Sequence, residues 1–487
     1  MGEPLHEAQD GREARRYGDV LVLGLGKTGE AAASYLAGLM PEGRVSSVTL
    51  YGGAASKPGE ATRALVAAGV TVVCGTEDVE GSYDLCVASP GISEFCDFYL
   101  SAKRASACVI GEPELAWRES PERWVGITGT NGKTTTTILT RDLLRAGGLA
   151  AEAVGNIGTM AIGEVETREP GEWLVAELSS FQLAGTRELH PHVAVLLNVT
   201  PDHLYWHKTM ENYAAAKERI FANLDADDVA VIATGDAWCV AAAERAEARG
   251  LTVCRLLPAG ELPAAPDARA AWEDEAGMLR VRLGGSEHAL VNKAELAIAG
   301  EHNVQNALAA SAAALACGVS AERVREGLRA FAPLEHRIEP CGEAAHIRFV
   351  NDSKATNTDA VQKALTAFEP GRVVLLLGGH DKGTELGEMC AAVAARSRVA
   401  VCFGEAGARL AEACRQASAA SGSALEVLRA THLADALDVA IAAAHAGDAV
   451  LLSPACSSFD EFSGFEERGE AFKQLVASRI AKMGECS

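Results

Sequence analysis

Gly126-Ile127-Thr128-Gly129-Thr130-Asn131-Gly132-Lys133-Thr134-Thr135-Thr136 joins an apolar run ending at Ile127 to a helix-compatible run beginning near Thr135. Glycines let the backbone curl until successive N–H groups converge on an anion, and the following helix N-terminus adds partial positive charge. Lys133 can neutralise phosphate oxygens and Thr134 can ligate Mg²⁺, so the run reads as a nucleoside triphosphate site on a strand–loop–helix unit. The usual spacing puts a glycine at 127. Here Ile127 stands there, with Gly126 and Gly129 on either side.

Outward from this loop, three segments alternate apolar strand-like runs with Ala-rich helical stretches, the pattern of parallel sheets. The first opens with Asp19 to Leu23, then Gly24-Leu25-Gly26-Lys27-Thr28-Gly29, then a helix through Tyr35, as in a dinucleotide-binding unit. A dehydrogenase ends its second strand on an acid. This strand ends Val48-Thr49-Leu50-Tyr51-Gly52, which argues against a nicotinamide cofactor. A third strand, Leu85 to Ala88, leads into Ser89-Pro90-Gly91-Ile92, a turn able to offer N–H groups to a phosphate.

The second segment starts near Trp124 and continues with strands at Trp173–Ala176, Val193–Leu197 and Val229–Ile232, then a hairpin turning at Gly284-Gly285-Ser286. The third begins near Glu335, with strands at Ile347–Val350, Val373–Leu377, Val399–Phe403 and Ala449–Leu452. The expected division is a flexible tail over 1–18, then domains over 19–112, 113–333 and 334–487. About three domains is also what a length of 487 residues suggests.

The balance of 44 basic against 66 acidic residues gives a formal charge of −22, which disfavours nucleic acid and anionic membranes. Anionic substrates must then be drawn in by local cationic pockets. The 13 cysteines are odd in number and form no CxxC pair, the usage expected of thiols in a reducing cytoplasm. No signal peptide and no apolar run of membrane-spanning length is read, so no membrane insertion is expected.

Glu177 ends a strand in Glu177-Leu178-Ser179-Ser180, well placed for Mg²⁺, although an acid at a helix start is the plainer reading. His203, beside Asp202, follows the next strand in the same way. Lys217 lies in the helical run Glu211 to Phe221 and reads, on its own, as a solvated surface lysine. Asn303 and Asn306 share a helical face, where they could read a base or ribose edge or cap the helix.

Together these pieces resemble the Mur ligase family of ATP-dependent amide-forming ligases. The likeness is carried by Thr128 to Thr135, Gly155-Asn156-Ile157-Gly158, Glu177 to Ser180, Asn198 to His203, the Lys217 helix and His302-Asn303-x-x-Asn306-Ala307. The family's phosphate loop has the same displaced glycine. Asn351-Asp352-Ser353-Lys354-Ala355-Thr356-Asn357 and Ser453 to Phe462, continuing through Phe465 to Arg468-Gly469, resemble the family's D-glutamate-adding branch.

The resemblance implies an α/β protein of three domains: Rossmann-like, phosphate-loop ATPase-like with a parallel sheet, and Rossmann-like again. It implies that ATP activates the carboxylate of UDP-N-acetylmuramoyl-L-alanine as an acyl phosphate, which the amine of D-glutamate attacks. Gly129, Thr130, Asn131, Gly132, Lys133, Thr134, Thr135, Asn303, Asn306, Arg337 and Asp352 would hold ATP. Thr134 and Glu177 would hold one Mg²⁺, with His203 and a carbamylated Lys217 at a second. Lys133, His203, Lys217 and Lys354 would form the catalytic set. Thr28, Gly29, Ser89, Gly91 and Asn156 would bind the UDP-substrate, and Thr356, Lys382, Ser458 and Phe465 the D-glutamate. A cytoplasmic monomer is implied. A folate-type ligase would not need the Gly24–Gly29 unit. After His203 the family continues with Leu-Asp, whereas this chain reads Leu204-Tyr205-Trp206-His207, implying altered substrate or metal contacts. Asp381, beside Lys382, would weaken the attraction for D-glutamate if it points into the site.

Overall fold

The computed structural model describes residues 14–381 and 383–485, which form two compact units. The first runs through Leu256, with Leu283–Gly285 and Ala309–Ser320; the second holds the remainder.

In the first unit β1 (Gly18–Leu23), β2 (Val45–Tyr51), β3 (Thr71–Val73), β4 (Leu85–Ala88) and β5 (Val109–Gly111) form a sheet in the order β3-β2-β1-β4-β5. Every pairing is parallel. The direction of winding reverses between β1 and β4, which opens a crevice at their carboxyl ends. A second parallel array holds β6 (Trp124–Thr128), β7 (Ala151–Gly155), β8 (Trp173–Glu177), β9 (Val193–Leu196), β10 (Val229–Ala233) and β11 (Thr252–Leu256). These run β11-β10-β9-β6-β8-β7, with β6 between β8 and β9. Its inner strands β6, β8, β9 and β10 read as near-continuous apolar runs, the pattern of strands buried on both faces.

One continuous core spans both sheets, from Val22 and Leu36 through Leu115 and Trp124 to Leu174 and Ile232. Helix Glu112–Glu119 sits between them and is pinned at both ends. Glu119 accepts from Tyr17 Oη at 2.5 Å, Tyr35 Oη at 2.7 Å and Arg44 at 2.7 Å. The fully buried Glu114 accepts the backbone N–H groups of Arg187, Glu188 and Leu189.

The second unit carries β12 (Ala270–Glu273), β13 (Met278–Leu283) and β14 (Ser286–Asn292), followed by β15 (Glu339–Ala344), β16 (Ile347–Asn351), β17 (Val373–Gly378), β18 (Ser397–Phe403), β19 (Glu426–Arg429) and β20 (Ala449–Ala455). The last six form a sheet ordered β15-β16-β20-β17-β18-β19. The expectation of parallel strands holds for β16 to β20. It fails at β15, which pairs antiparallel with β16, and at β12, which pairs antiparallel with β13. The β15 residues Glu-Pro-Cys-Gly-Glu-Ala carry no strand pattern; proline and glycine are tolerated there because this is a sheet edge.

Candidate functional site

The phosphate loop grows from β6, an inner strand of its sheet. Ile127 pairs with Glu177 across β6 and β8, so loop and acid emerge at the same end of adjacent strands. Ile127 is fully buried within β6, which explains why this position takes a branched apolar residue rather than the usual loop glycine. Gly132, at φ +86°, is the residue before helix Lys133–Ala146, a conformation that L side chains rarely adopt. At Gly129 a Cβ would lie 2.9 Å from the Leu197 side chain.

Several groups hold this loop in shape. Asn198 Oδ1 accepts from Asn131 N at 2.8 Å, and its Nδ2 donates to Asn131 O at 3.0 Å. Thr130 Oγ1 shares a hydrogen bond with Tyr213 Oη at 3.0 Å and accepts one from Thr200 N. Lys133 Nζ donates to the carbonyls of Gly129 at 3.0 Å and Thr130 at 2.8 Å. Asn198 and Tyr213 carry none of the expected roles, although both lie in motifs that mark the family. Their signal was an amide and a phenol just past, or one helix beyond, the same strand.

Thr134 Oγ1 donates to Glu177 Oε2 at 2.8 Å, and Asn156 Nδ2 donates to Glu177 Oε1 at 2.8 Å. The structure therefore places two expected site residues on the carboxylate of a third. Gly155, at φ +97°, lets the Asn156 loop close on the Glu177 carbonyl.

Lys217 departs from the plain reading of its helix. It is 1 % exposed rather than solvated, and its Nζ donates to Gly129 O at 2.7 Å. Burial, reinforced by Lys133, drives its pKa well below the usual lysine value, which favours the neutral amine. Tyr213 lies 4.7 Å beneath the nitrogen. His203 sits at φ +55° with Asp202 Oδ1 accepting from its backbone N at 2.8 Å, and its ring is 4.7 Å from Phe181.

In the first sheet, an open pocket of about 460 Å³ occupies the crevice between β1 and β4. Thr28, Ser89 and Gly91 line it. Gly29 is not among its lining residues. Its missing Cβ would lie 1.9 Å from Gly24 O, so this glycine serves close packing of helix on strand.

In the second unit the Asn351–Lys354 motif is held by Arg468, 1 % exposed. Its guanidinium donates to Ser353 Oγ at 3.0 Å, Ser353 O at 2.9 Å and Cys456 O at 3.0 Å. Ser353 Oγ in turn donates to Phe465 O at 2.8 Å, and Lys354 Nζ lies 3.6 Å over the Phe465 ring. Asp352 accepts from Ser453 Oγ at 2.8 Å, and burial pushes its carboxyl up to about 7. Asn306 Nδ2 donates to Asn303 Oδ1 at 3.1 Å, so the two carboxamides share a face as their spacing requires. Ser458 is buried. Asp381 is paired with Arg409 at 2.7 Å, which offsets the negative charge the sequence placed beside the D-glutamate candidates. Lys382 lies outside the described residues.

A phosphate loop on a parallel array, with an acid on the neighbouring strand, is the arrangement of the phosphate-loop class of α/β proteins. The chain belongs to the Mur ligase family: it matches the Mur ligase middle domain over residues 127–314 and the Mur ligase glutamate ligase domain over 336–456. It is 38 % identical over 462 residues to a UDP-N-acetylmuramoylalanine–D-glutamate ligase of Pelotomaculum thermopropionicum, covering 94 % of this chain and 97 % of that one. It is 37 % identical to the ligase of the same name from Acidobacterium capsulatum, covering 94 % and 95 %. A pseudomurein peptide ligase type C from Methanothermus fervidus shares the fold, with a TM-score of 0.56, 18 % identity, and coverage of 94 % and 99 %. Among the described residues no helix is long and apolar enough to cross a membrane.

Proposed function

We propose that this chain adds D-glutamate to UDP-N-acetylmuramoyl-L-alanine at the expense of ATP, in peptidoglycan precursor synthesis. The observation that carries the reading is the Thr134–Glu177–Asn156 cluster beside the Lys133 loop, in a chain 38 % identical to a ligase of that name.

The substrate carboxylate attacks the γ-phosphorus, the bond to the β-phosphate oxygen breaks, and ADP leaves. The D-glutamate amine then attacks the acyl carbon; the carbon–oxygen bond to phosphate breaks and the amine loses a proton. Bringing two anions together is the main barrier, so positive charge and loop N–H groups are what the site must supply. Residues 129–135 cradle the phosphates, with Lys133 turning from loop carbonyls to phosphate oxygens. Asn303, Asn306, Arg337 and Asp352 are the further ATP contacts, and Lys354 steadies the charge that develops on the transferred phosphate. Thr28, Ser89 and Gly91 hold the UDP-substrate, and Thr356, Lys382, Ser458 and Phe465 the D-glutamate.

Thr134 and Glu177 offer hard oxygen donors, the set Mg²⁺ prefers, and they already touch each other. They fit one ion; His203 and Lys217 fit a second once the Lys217 amine has taken up CO₂ as a carbamate, a reaction that needs the neutral form. When bound, the ions offset the negative charge of the phosphates. Domains over 19–112, 113–333 and 334–487 suit this division of labour, and the strands, Gly18 aside, fall within those limits. A monomer in the cytoplasm completes the reading.

The test is phosphate release by the purified protein with ATP, Mg²⁺, UDP-N-acetylmuramoyl-L-alanine and each amino acid in turn. Release is expected with D-glutamate; its absence there overturns the proposal.

A further inference from the structure

The segment Leu204-Tyr205-Trp206-His207 directly follows His203. Trp206 is 4 % exposed and lies where the loops of the first unit's two sheets meet. Ser93 Oγ, on the loop after β4, donates to the Trp206 carbonyl at 3.1 Å. The indole stacks on Phe181, ring centres 4.9 Å apart and planes 32° from parallel. The His203 imidazole lies 4.7 Å from the same Phe181 ring. Trp206 also lines a small cavity of about 20 Å³ together with Ser89, Pro90 and Ile92. Ser89 Oγ and Trp206 Nε1 are both buried there without a hydrogen-bond partner among the described residues.

We propose that Trp206 is a positioning residue, fastening the Ser89–Ser93 loop to the His203 loop through the Ser93 hydrogen bond and the shared Phe181 ring. His203 needs outside support. Its φ of +55° is a left-handed conformation that costs a non-glycine residue about 1–2 kcal/mol. Its ring is over a third exposed, so its own burial does little to fix it. Phe181, tilted against both the imidazole and the indole, links the His203 ring to Trp206, and the Ser93 bond ties Trp206 to the loop bearing Ser89 and Gly91. A second arm reaches the phosphate loop. His207, its ring tilted against Trp206 with centres 4.4 Å apart, bonds Ser180 Oγ at 2.9 Å and packs 5.2 Å from Tyr213, whose hydroxyl holds Thr130. The aromatic segment therefore joins the end of the site that receives the UDP-substrate to the end that does the chemistry.

This inference rests on the reading of Ser89 and Gly91 as UDP-substrate contacts. A Trp206 that only filled space would affect stability alone. If the Ser93 bond positions the Ser89–Ser93 loop, breaking it affects the UDP-substrate and not ATP.

The experiment measures the Kd of UDP-N-acetylmuramoyl-L-alanine by calorimetry, with kcat and the KM of each substrate, in Ser93→Ala, Trp206→Ala and Trp206→Phe. Loss of the neutral hydrogen bond in Ser93→Ala is expected to weaken UDP-substrate binding about 3- to 10-fold and leave the KM for ATP unchanged. Trp206→Ala should weaken it further and lower kcat. Trp206→Phe, which keeps the stack and the backbone carbonyl, should recover most of the affinity. The Ser93→Ala and Trp206→Ala effects should be less than additive. UDP-substrate affinity within twofold of the parent in Ser93→Ala, or a parallel rise in the KM for ATP, overturns the proposal. If Trp206→Ala does not fold, Ser93→Ala and Trp206→Phe decide. The calorimetric arm needs no turnover, so a failure of the ligase reading shows up separately, as a parent protein that releases no phosphate with D-glutamate.

Discussion

Lys217 Nζ donates to the carbonyl oxygen of Gly129 at 2.7 Å, so a buried lysine is attached directly to the backbone of the phosphate loop. Water is excluded and Lys133 is near, and both disfavour the ammonium form. A neutral, nucleophilic amine beside a phosphate site can react with CO₂ and become an anionic ligand.

Lys217→Ala is accordingly expected to lower kcat by about 10³-fold or more, as for removal of a group acting on developing charge. Added short carboxylic acids, small enough to enter the space left behind, should restore part of the rate. A bare variant with full activity refutes the ligand role. Thermal unfolding serves as the control, because deleting a buried amine need not destabilise the chain.

The Thr134–Glu177–Asn156 cluster leads to a second prediction. Glu177→Gln keeps the shape and both neighbours but removes the charge, and Thr134→Ala removes a hydroxyl. Glu177→Gln should raise the Mg²⁺ concentration for half-maximal activity by about tenfold or more and lower kcat about 10²-fold. Thr134→Ala should do the same more weakly. The check is a Mg²⁺ titration of phosphate release; an unchanged half-point in Glu177→Gln would remove the acid from the metal site.

Much of this site was legible because its chemistry is local. Gly129, Gly132, Lys133 and Thr134 lie within six positions, and the strand before them could be recognised from its apolar run. Glu177 was legible for the same reason, as an acid ending a parallel strand. Lys217 was not. Its neighbours Glu218 and Arg219 give the helix a solvated look, and its burial comes from Gly129, 88 residues earlier in the chain. Asn198 likewise shows its role only when β9 is laid beside β6. Arg468 reads as one more charge on the chain's last helix until Ser353 and Cys456 turn their carbonyls to it. β15 was missed because an edge strand does not need the apolar alternation that marks an inner one.

Arg468 supports a third prediction. Its planar fork reaches four acceptors, three of them backbone carbonyls that no solvent replaces once the side chain is shortened. Arg468→Met should cost about 3–5 kcal/mol, most of it from acceptors left without donors. Arg468→Lys should recover little, because an ammonium cannot reproduce the fork. Urea unfolding of the two variants tests this; an Arg468→Lys protein within 1 kcal/mol of the parent, on the order of a single hydrogen bond, contradicts it.

Glu112 gives the last prediction a definite sign. It is 1 % exposed and accepts from Ile162 N at 2.7 Å. Burial raises its carboxyl from 4.5 to about 7, against a smaller pull downward from the N–H groups of Ile162 and Ala161. Between those two values the folded chain keeps a proton that the unfolded chain has lost, so stability falls as pH rises through that window and stays lower above it. The buried Asp352, raised from 3.8 to about 7, acts in the same direction. Glu112→Gln is neutral at every pH and keeps an acceptor for Ile162. Relative to the parent it should gain up to about 3 kcal/mol at pH 8 and nothing near pH 4.5. Urea melts of both proteins at pH 5 and pH 8 read this out. An equal difference at the two pH values would mean that Glu112 titrates alike in the folded and unfolded chains, so that burial does not raise it, and a larger gain at pH 5 would reverse the sign.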